Sequence, residues 1–160
     1  MSRFFPHFLL AIVLIAAAPV HATEPVSTIS TGWSAHTAVG GKDAVSYYSA
    51  TARQNHAVAD GTQRHAVRHL GADWYFASAE SAARFAANPS AYVPQYNGHC
   101  ANALALGEGL IRTRGEVWEF FGDKLHLFFA ERGRQRWLAG DWKAYAAEAD
   151  AAWHSLRNKP

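Results

Sequence analysis

The chain has 160 residues, 49% of them hydrophobic, with a formal net charge of +2 and a single cysteine. One cysteine excludes a disulfide framework within the chain. The small net charge, with Lys and Arg scattered rather than clustered into a stripe, argues against a nucleic-acid partner. The length suits one domain with a core large enough to stand without covalent staples.

In chain order, the first segment reads as a leader. Arg3 precedes an apolar run over residues 8–18, and Val20-His21-Ala22 places small residues at the outer and inner positions of a cleavage site. That order predicts a secretory signal peptide over residues 1–22 and export, in a bacterium to the periplasm. The run is shorter than the roughly 20 residues of a membrane helix. No later stretch is apolar enough to span a membrane, and no cysteine follows the run to carry a lipid. Residues 23–39 are rich in Thr and Ser and show no apolar period, which predicts a flexible lead-in. The domain proper is expected over residues 40–160.

Within it, residues 45–48 read as a short strand of β-branched and aromatic residues. Residues 55–61 form a polar loop. Two strands follow at 65–70 and 73–77, joined through Gly71, with Trp74 and Phe76 on one face. Ser78 is an N-cap and Glu80 sits in the first turn of a helix that runs to Ala87 and buries Phe85; Asn88-Pro89 stops it. A second helix starts after Asn97-Gly98, carries Cys100, Ala103 and Leu104, and ends at Gly107. Aromatic strands at 117–121 and 125–129 flank a tight turn at Gly122-Asp123-Lys124. A helix over residues 131–139 ends at Gly140, and Asp141 caps the last one. There Trp142, Tyr145, Ala149, Trp153 and Leu156 recur at steps of three and four, an apolar stripe that packs on the core. Strands and helices do not alternate regularly, so the predicted class is α+β: a small antiparallel sheet packed with several helices in one domain.

Several segments together resemble the exported bacterial type of YHS-domain protein. They are Gly40-Gly41-Lys42-Asp43-Ala44-Val45-Ser46-Tyr47-Tyr48, Trp74-Tyr75-Phe76-Ala77-Ser78-Ala79-Glu80, Phe85-Ala86-Ala87-Asn88-Pro89 and Tyr92-Val93-Pro94-Gln95-Tyr96-Asn97-Gly98-His99-Cys100-Ala101. Gly122-Asp123-Lys124-Leu125, Trp137 and the stretch from Ala149-Asp150 to Trp153 also fit. The sequence departs from that type at Lys42, Ala44, Asn97 and His99. The resemblance implies a small α+β domain and no known reaction. A cysteine-rich branch of the family handles metals, copper among them; its cysteine positions correspond here to Ser46, Ala77 and Ser81, which supply no thiolate for a soft metal.

Candidate functional residues are few. Cys100, if it lies in the first turn of a helix, gains an environment that lowers a thiol pKa; its bland reading is a small buried hydrophobe. His99 is its neighbour, and the two are the candidate ligands for a transition metal ion. His65 and His69 lie about 13 Å apart on a strand, too far to share one ion. His126 reads as a satisfied histidine at a sheet surface, Asp43 as a turn former, and Asp150 as a solvated or paired helix residue. Tyr47, Tyr96 and His99 could line a shallow aromatic cleft for a small molecule. No nucleophile elbow, phosphate loop or zinc-protease motif is present. The leading expectation is therefore a non-enzymatic module binding a metal ion or small ligand. The alternatives are a thiol-dependent redox enzyme using Cys100 and an interaction module without a ligand.

Overall fold

A computed structural model of the chain describes residues 29–32 and 36–158; the predicted leader and its cleavage site lie outside the described residues. The element order is α1 (Ala50–Asn55), β1 (Thr62–His69), β2 (Ala72–Phe76), α2 (Ala79–Ala87), α3 (Ala101–Ala105), β3 (Val117–Phe121), β4 (Lys124–Phe128), α4 (Glu131–Ala139) and α5 (Trp142–Arg157), with short 3-10 turns between. The strands form two separate antiparallel hairpins, β1–β2 and β3–β4. The fold is α+β, with the sheet divided into two rather than continuous.

The first hairpin turns at Leu70-Gly71, both in the left-handed region at φ 49° and 72°, the geometry a two-residue hairpin loop requires. Pairing then runs from His69↔Ala72 to Ala66↔Tyr75, with a bulge before Thr62↔Phe76. Trp74 and Phe76 point inward onto Phe85 of α2. That helix starts as its sequence dictates, with the Ser78 hydroxyl accepting from the Ser81 amide.

The second hairpin is the wall between two cores. Phe120↔Leu125 and Trp118↔Leu127 are register partners, and Trp118, Leu125 and Leu127 belong to the core built on β1–β2 and α2. The opposite face presents Val117, Phe121, His126 and Phe128. Phe121 and Phe128 there pack with Tyr96, Leu104, Trp137 and Ala149 into a second core under α3, α4 and α5. Asp141 caps α5 by accepting from the Lys143 and Ala144 amides. The α5 stripe is buried at Ala149 and half-buried at Trp142, Tyr145 and Trp153, whereas Leu156 lies beyond the core and is exposed.

Three local expectations are corrected. Residues 45–48 are not a strand: one Asp43 carboxylate oxygen accepts from the Val45 and Ser46 amides, winding the chain into a 3-10 turn at Ser46–Tyr48. The other oxygen takes the Ala77 amide and pins that turn to the end of β2. The described part of the lead-in is not loose, because Ile29, Ser30, Thr31, Ala38 and Val39 are buried and Ser30 bonds across to Asn97 and Thr113. Finally, α3 begins after Cys100 rather than after Asn97, so Cys100 is the N-cap and not a first-turn residue.

Candidate functional site

The 3-10 turn Gln95–Gly98 carries the site. Tyr96 and Asn97 sit consecutively in the left-handed region at φ 55° and 53°, a conformation that costs an ordinary residue of order 1 kcal/mol or more. The surroundings hold it there. The Asn97 carbonyl accepts from the Ser30 amide, the Gly98 carbonyl accepts from the Thr113 hydroxyl at 2.7 Å, and the Tyr96 carbonyl accepts from the His99 amide. Gly98 itself must be glycine, since a Cβ there would stand 2.6 Å from Val39 Cγ1.

From this turn the Tyr96 side chain runs into the second core, and its hydroxyl donates to Asp150 Oδ1 of α5 at 3.0 Å. Burial, reinforced by the Asp150 carboxylate, pushes the Tyr96 phenol up from its ordinary value. His99 Nδ1 lies 3.0 Å from the Tyr96 carbonyl. A carbonyl only accepts, so Nδ1 carries the proton and Nε2 is the acceptor. Burial holds that imidazole below the usual histidine range, against the opposing pull of the Tyr96 carbonyl. His126 repeats the pattern. Its Nδ1 donates to the Lys124 carbonyl, and its ring is enclosed by Tyr96, Phe121 and Trp137. Burial pushes it down to about 4. It is a buried core histidine, not one at a sheet surface, because α4 and α5 cover the outer face of the β3–β4 hairpin.

Gln95 and Tyr96 line two clefts, one on each side. The larger, of about 450 Å³, is walled by Pro89, Val93, Pro94 and Trp153, with His69, Ser90 and Asn97 also on its lining. The smaller, of about 360 Å³, contains His126, Trp142 and Asp150 with Lys124 and Lys143 at its edge.

Of the residues expected at a cleft, Tyr96 is there and His99 lies beside it, its ring 6.2 Å from that of Trp153. Tyr47 is not. It is fully buried in the first core, donates to the Gly115 carbonyl at 2.6 Å and meets Trp118 edge to face, so the proposed grouping of Tyr47 with Tyr96 and His99 is corrected. Burial, then the nearby Asp43, raises its phenol. Cys100 is buried and lines a different, small cleft with Ala103 and Glu108. Among the described residues no three His, Cys, Asp or Glu side chains come together to hold a metal, so Cys100 and His99 have no third ligand. His65 and His69 lie on β1, as the strand reading requires. The sequence reading had Asp150 solvated or paired and His126 satisfied, as they are, but joined neither of them, nor Trp153, to Tyr96. Only Trp153 carried a local signal, as a member of the α5 stripe.

No protein-family model matches the chain, and no curated protein and no solved structure matches it. No helix among the described residues is long and apolar enough to cross a membrane.

Proposed function

We propose that this chain is an exported, non-enzymatic module resembling the YHS family, and that it binds a small neutral ligand in the cleft between Tyr96 and Trp153. The observation that carries the reading is the Tyr96 turn: a bulky aromatic residue is held in the left-handed region, followed there by Asn97, at the mouth of a cleft of ligand size. The cleft is lined by no Asp, Glu, Lys or Arg, and burial keeps His69 toward its neutral form. It therefore suits an uncharged, flat, partly apolar molecule with one or two polar atoms. A small ligand is preferred to a metal ion because the described residues assemble no three-ligand set. The resemblance gains support from Ser46, Ala77 and Ser81, the positions that correspond to the metal-handling cysteines: all three line a single cleft of about 370 Å³ beside Asp43.

Calorimetric titration with indole, using benzoate and benzylamine as charged controls, tests the reading. Indole is expected to bind and the two ions not to bind, with Trp153→Ala abolishing the signal. Equal binding of all three, or indifference to Trp153→Ala, overturns it. Metal analysis of untagged protein exported by its own host tests the metal alternative directly.

A further inference from the structure

Outside the clefts that Tyr96 lines, four large apolar side chains stand in solvent around one edge of the second core. Leu106 is 50% exposed, Leu110 44%, Ile111 37% and Phe129 63%. Ile111 and Phe129 line two neighbouring clefts, which makes the patch continuous. One cleft, of about 300 Å³, adds Leu110, Arg112 and Arg114; the other, of about 130 Å³, adds Leu106, Ala103 and Arg132. Scattered exposed apolar residues are ordinary, but a continuous patch with a polar rim marks a binding surface.

The chain builds this surface on purpose-shaped backbone. Residues 108–114 have no regular secondary structure, and Thr113 anchors them from inside through Gly98 and Ser30. With Thr113 turned in, Arg112 and Arg114 on either side are turned out. Phe128 is the last residue of β4 and faces the core, so Phe129 after it leaves toward solvent.

The rim is cationic. Arg112 spends one N–H on the Gly32 carbonyl at 3.3 Å, and neither it nor Arg114 nor Arg132 forms an ion pair among the described residues. Arg134, by contrast, is tied to Glu119 and Glu131 and is not available. Glu108 is the one carboxylate on the lining of either cleft.

An apolar groove with guanidinium groups at its head complements one kind of molecule. We propose that it binds a free medium-chain carboxylic acid, with the acyl chain laid across Ile111 and Phe129 and the carboxylate taken by Arg112 and Arg114. A guanidinium matches a carboxylate with two parallel N–H donors, and each buried methylene adds to affinity. This site is separate from the Tyr96 cleft and stands or falls independently of it.

The experiment is calorimetric titration of the mature chain with octanoate, decanoate and dodecanoate below their micelle concentrations. Decanol and decyltrimethylammonium serve as controls. One acid per chain is expected, with affinity rising roughly fourfold per added methylene, decanol at least about tenfold weaker than decanoate, and no binding of the ammonium. Phe129→Ser and Leu110→Ser, both at exposed positions, should each weaken decanoate about tenfold while leaving the circular dichroism spectrum unchanged. Arg112→Gln with Arg114→Gln should make acid and alcohol bind alike. Equal binding of the ammonium and the acid overturns the proposal, as does decanoate binding unchanged in the serine variants. So does a dimer, seen by sedimentation and abolished by Phe129→Ser, in a chain that takes up no acid. Capture by anionic phospholipid vesicles without binding of monomeric decanoate also overturns it, and assigns the surface to a membrane.

Discussion

The Tyr96 hydroxyl and Asp150 Oδ1, 3.0 Å apart, join a strained turn to the middle of the last helix across 54 residues of sequence. The bond has consequences at both ends. At the turn it fixes the side chain of a residue whose backbone is in the left-handed region. At the helix it ties α5 to the turn whose Tyr96 lines both clefts. Tyr96→Phe removes the donor and leaves an exposed carboxylate that water can solvate. The expected cost is about 1 kcal/mol, read from urea unfolding. Asp150→Ala leaves the buried phenol short of its best acceptor and should cost at least as much. A double-mutant cycle should give a coupling energy clearly above the roughly 0.3–0.5 kcal/mol seen for independent sites.

Asp43 is the second polar joint. Its buried carboxylate accepts the amides of Val45, Ser46 and Ala77, at 2.9, 3.2 and 3.0 Å. Asp43→Ala strands three donors at once, where one hydrogen bond to a charged group is worth about 1.5–3 kcal/mol. A loss of about 3 kcal/mol or more in denaturant unfolding is expected. Asp43→Asn, which keeps one acceptor oxygen, should lose less. Equal losses for the two would show that packing rather than hydrogen bonding holds this turn.

Stability should fall with pH below neutrality, and His126 supplies a defined share. Its folded pKa is pushed down to about 4 by burial, while an unfolded histidine titrates near 6.5. Between those values the unfolded chain binds the proton and the folded chain does not. Falling pH therefore favours unfolding, by up to about 1.4 kcal/mol per pH unit for this one group. His99 and His69, both shifted down by burial, add the same sign. Denaturation of the parent and of His126→Phe at pH 7 and pH 5 isolates the His126 share: the variant should show the weaker pH dependence. An unchanged difference between the two pH values would show that His126 is protonated without penalty.

Much of the fold was legible because its signals are local. Ser78 and Asp141 are caps that act within three residues, and Gly122-Asp123 is a turn that brings its own register. The α4 and α5 boundaries follow from Gly140 lying between them. What escaped lies in contacts across the chain. The strand pattern of residues 45–48 was outcompeted by one carboxylate two residues upstream. The lead-in looked loose because nothing near Ile29 or Ser30 announces that Asn97 and Thr113 will cover them. Tyr47 and Tyr96 are alike in sequence, yet their hydroxyls go to Gly115 and Asp150 in different cores. His126 was misplaced because alternation along β4 shows which residues share a face but not that α4 and α5 cover the face His126 is on.

Depth in the second core orders three substitutions on α4 and α5. Trp137 is fully buried in the second core, Trp153 is half-buried at its edge, and His154 is exposed. Truncating a buried Trp costs about 3–5 kcal/mol, so Trp137→Ala should fall in that range and Trp153→Ala at about half of it. His154→Ala should stay within about 0.5 kcal/mol. Chemical denaturation midpoints decide the order. A Trp153→Ala midpoint equal to that of His154→Ala would mean that the outer half of α5 contributes nothing to the core.

Cys100 separates the binding module from a thiol enzyme. The residue is 4% exposed and caps a helix of only five residues with its backbone. Its amide donates to the Ile111 carbonyl at 2.8 Å, so the backbone around the sulfur is fixed and the side chain is enclosed. A reactive thiolate needs access as well as a favourable field, and here access is lacking. Native protein treated with iodoacetamide at pH 7.5 should remain unlabelled, with or without a chelator, and should label stoichiometrically once unfolded. Chelator-dependent labelling would instead point to a metal held by the thiol. Rapid labelling of the native chain would put the sulfur within reach of a substrate and favour the redox reading of Cys100 over the binding module.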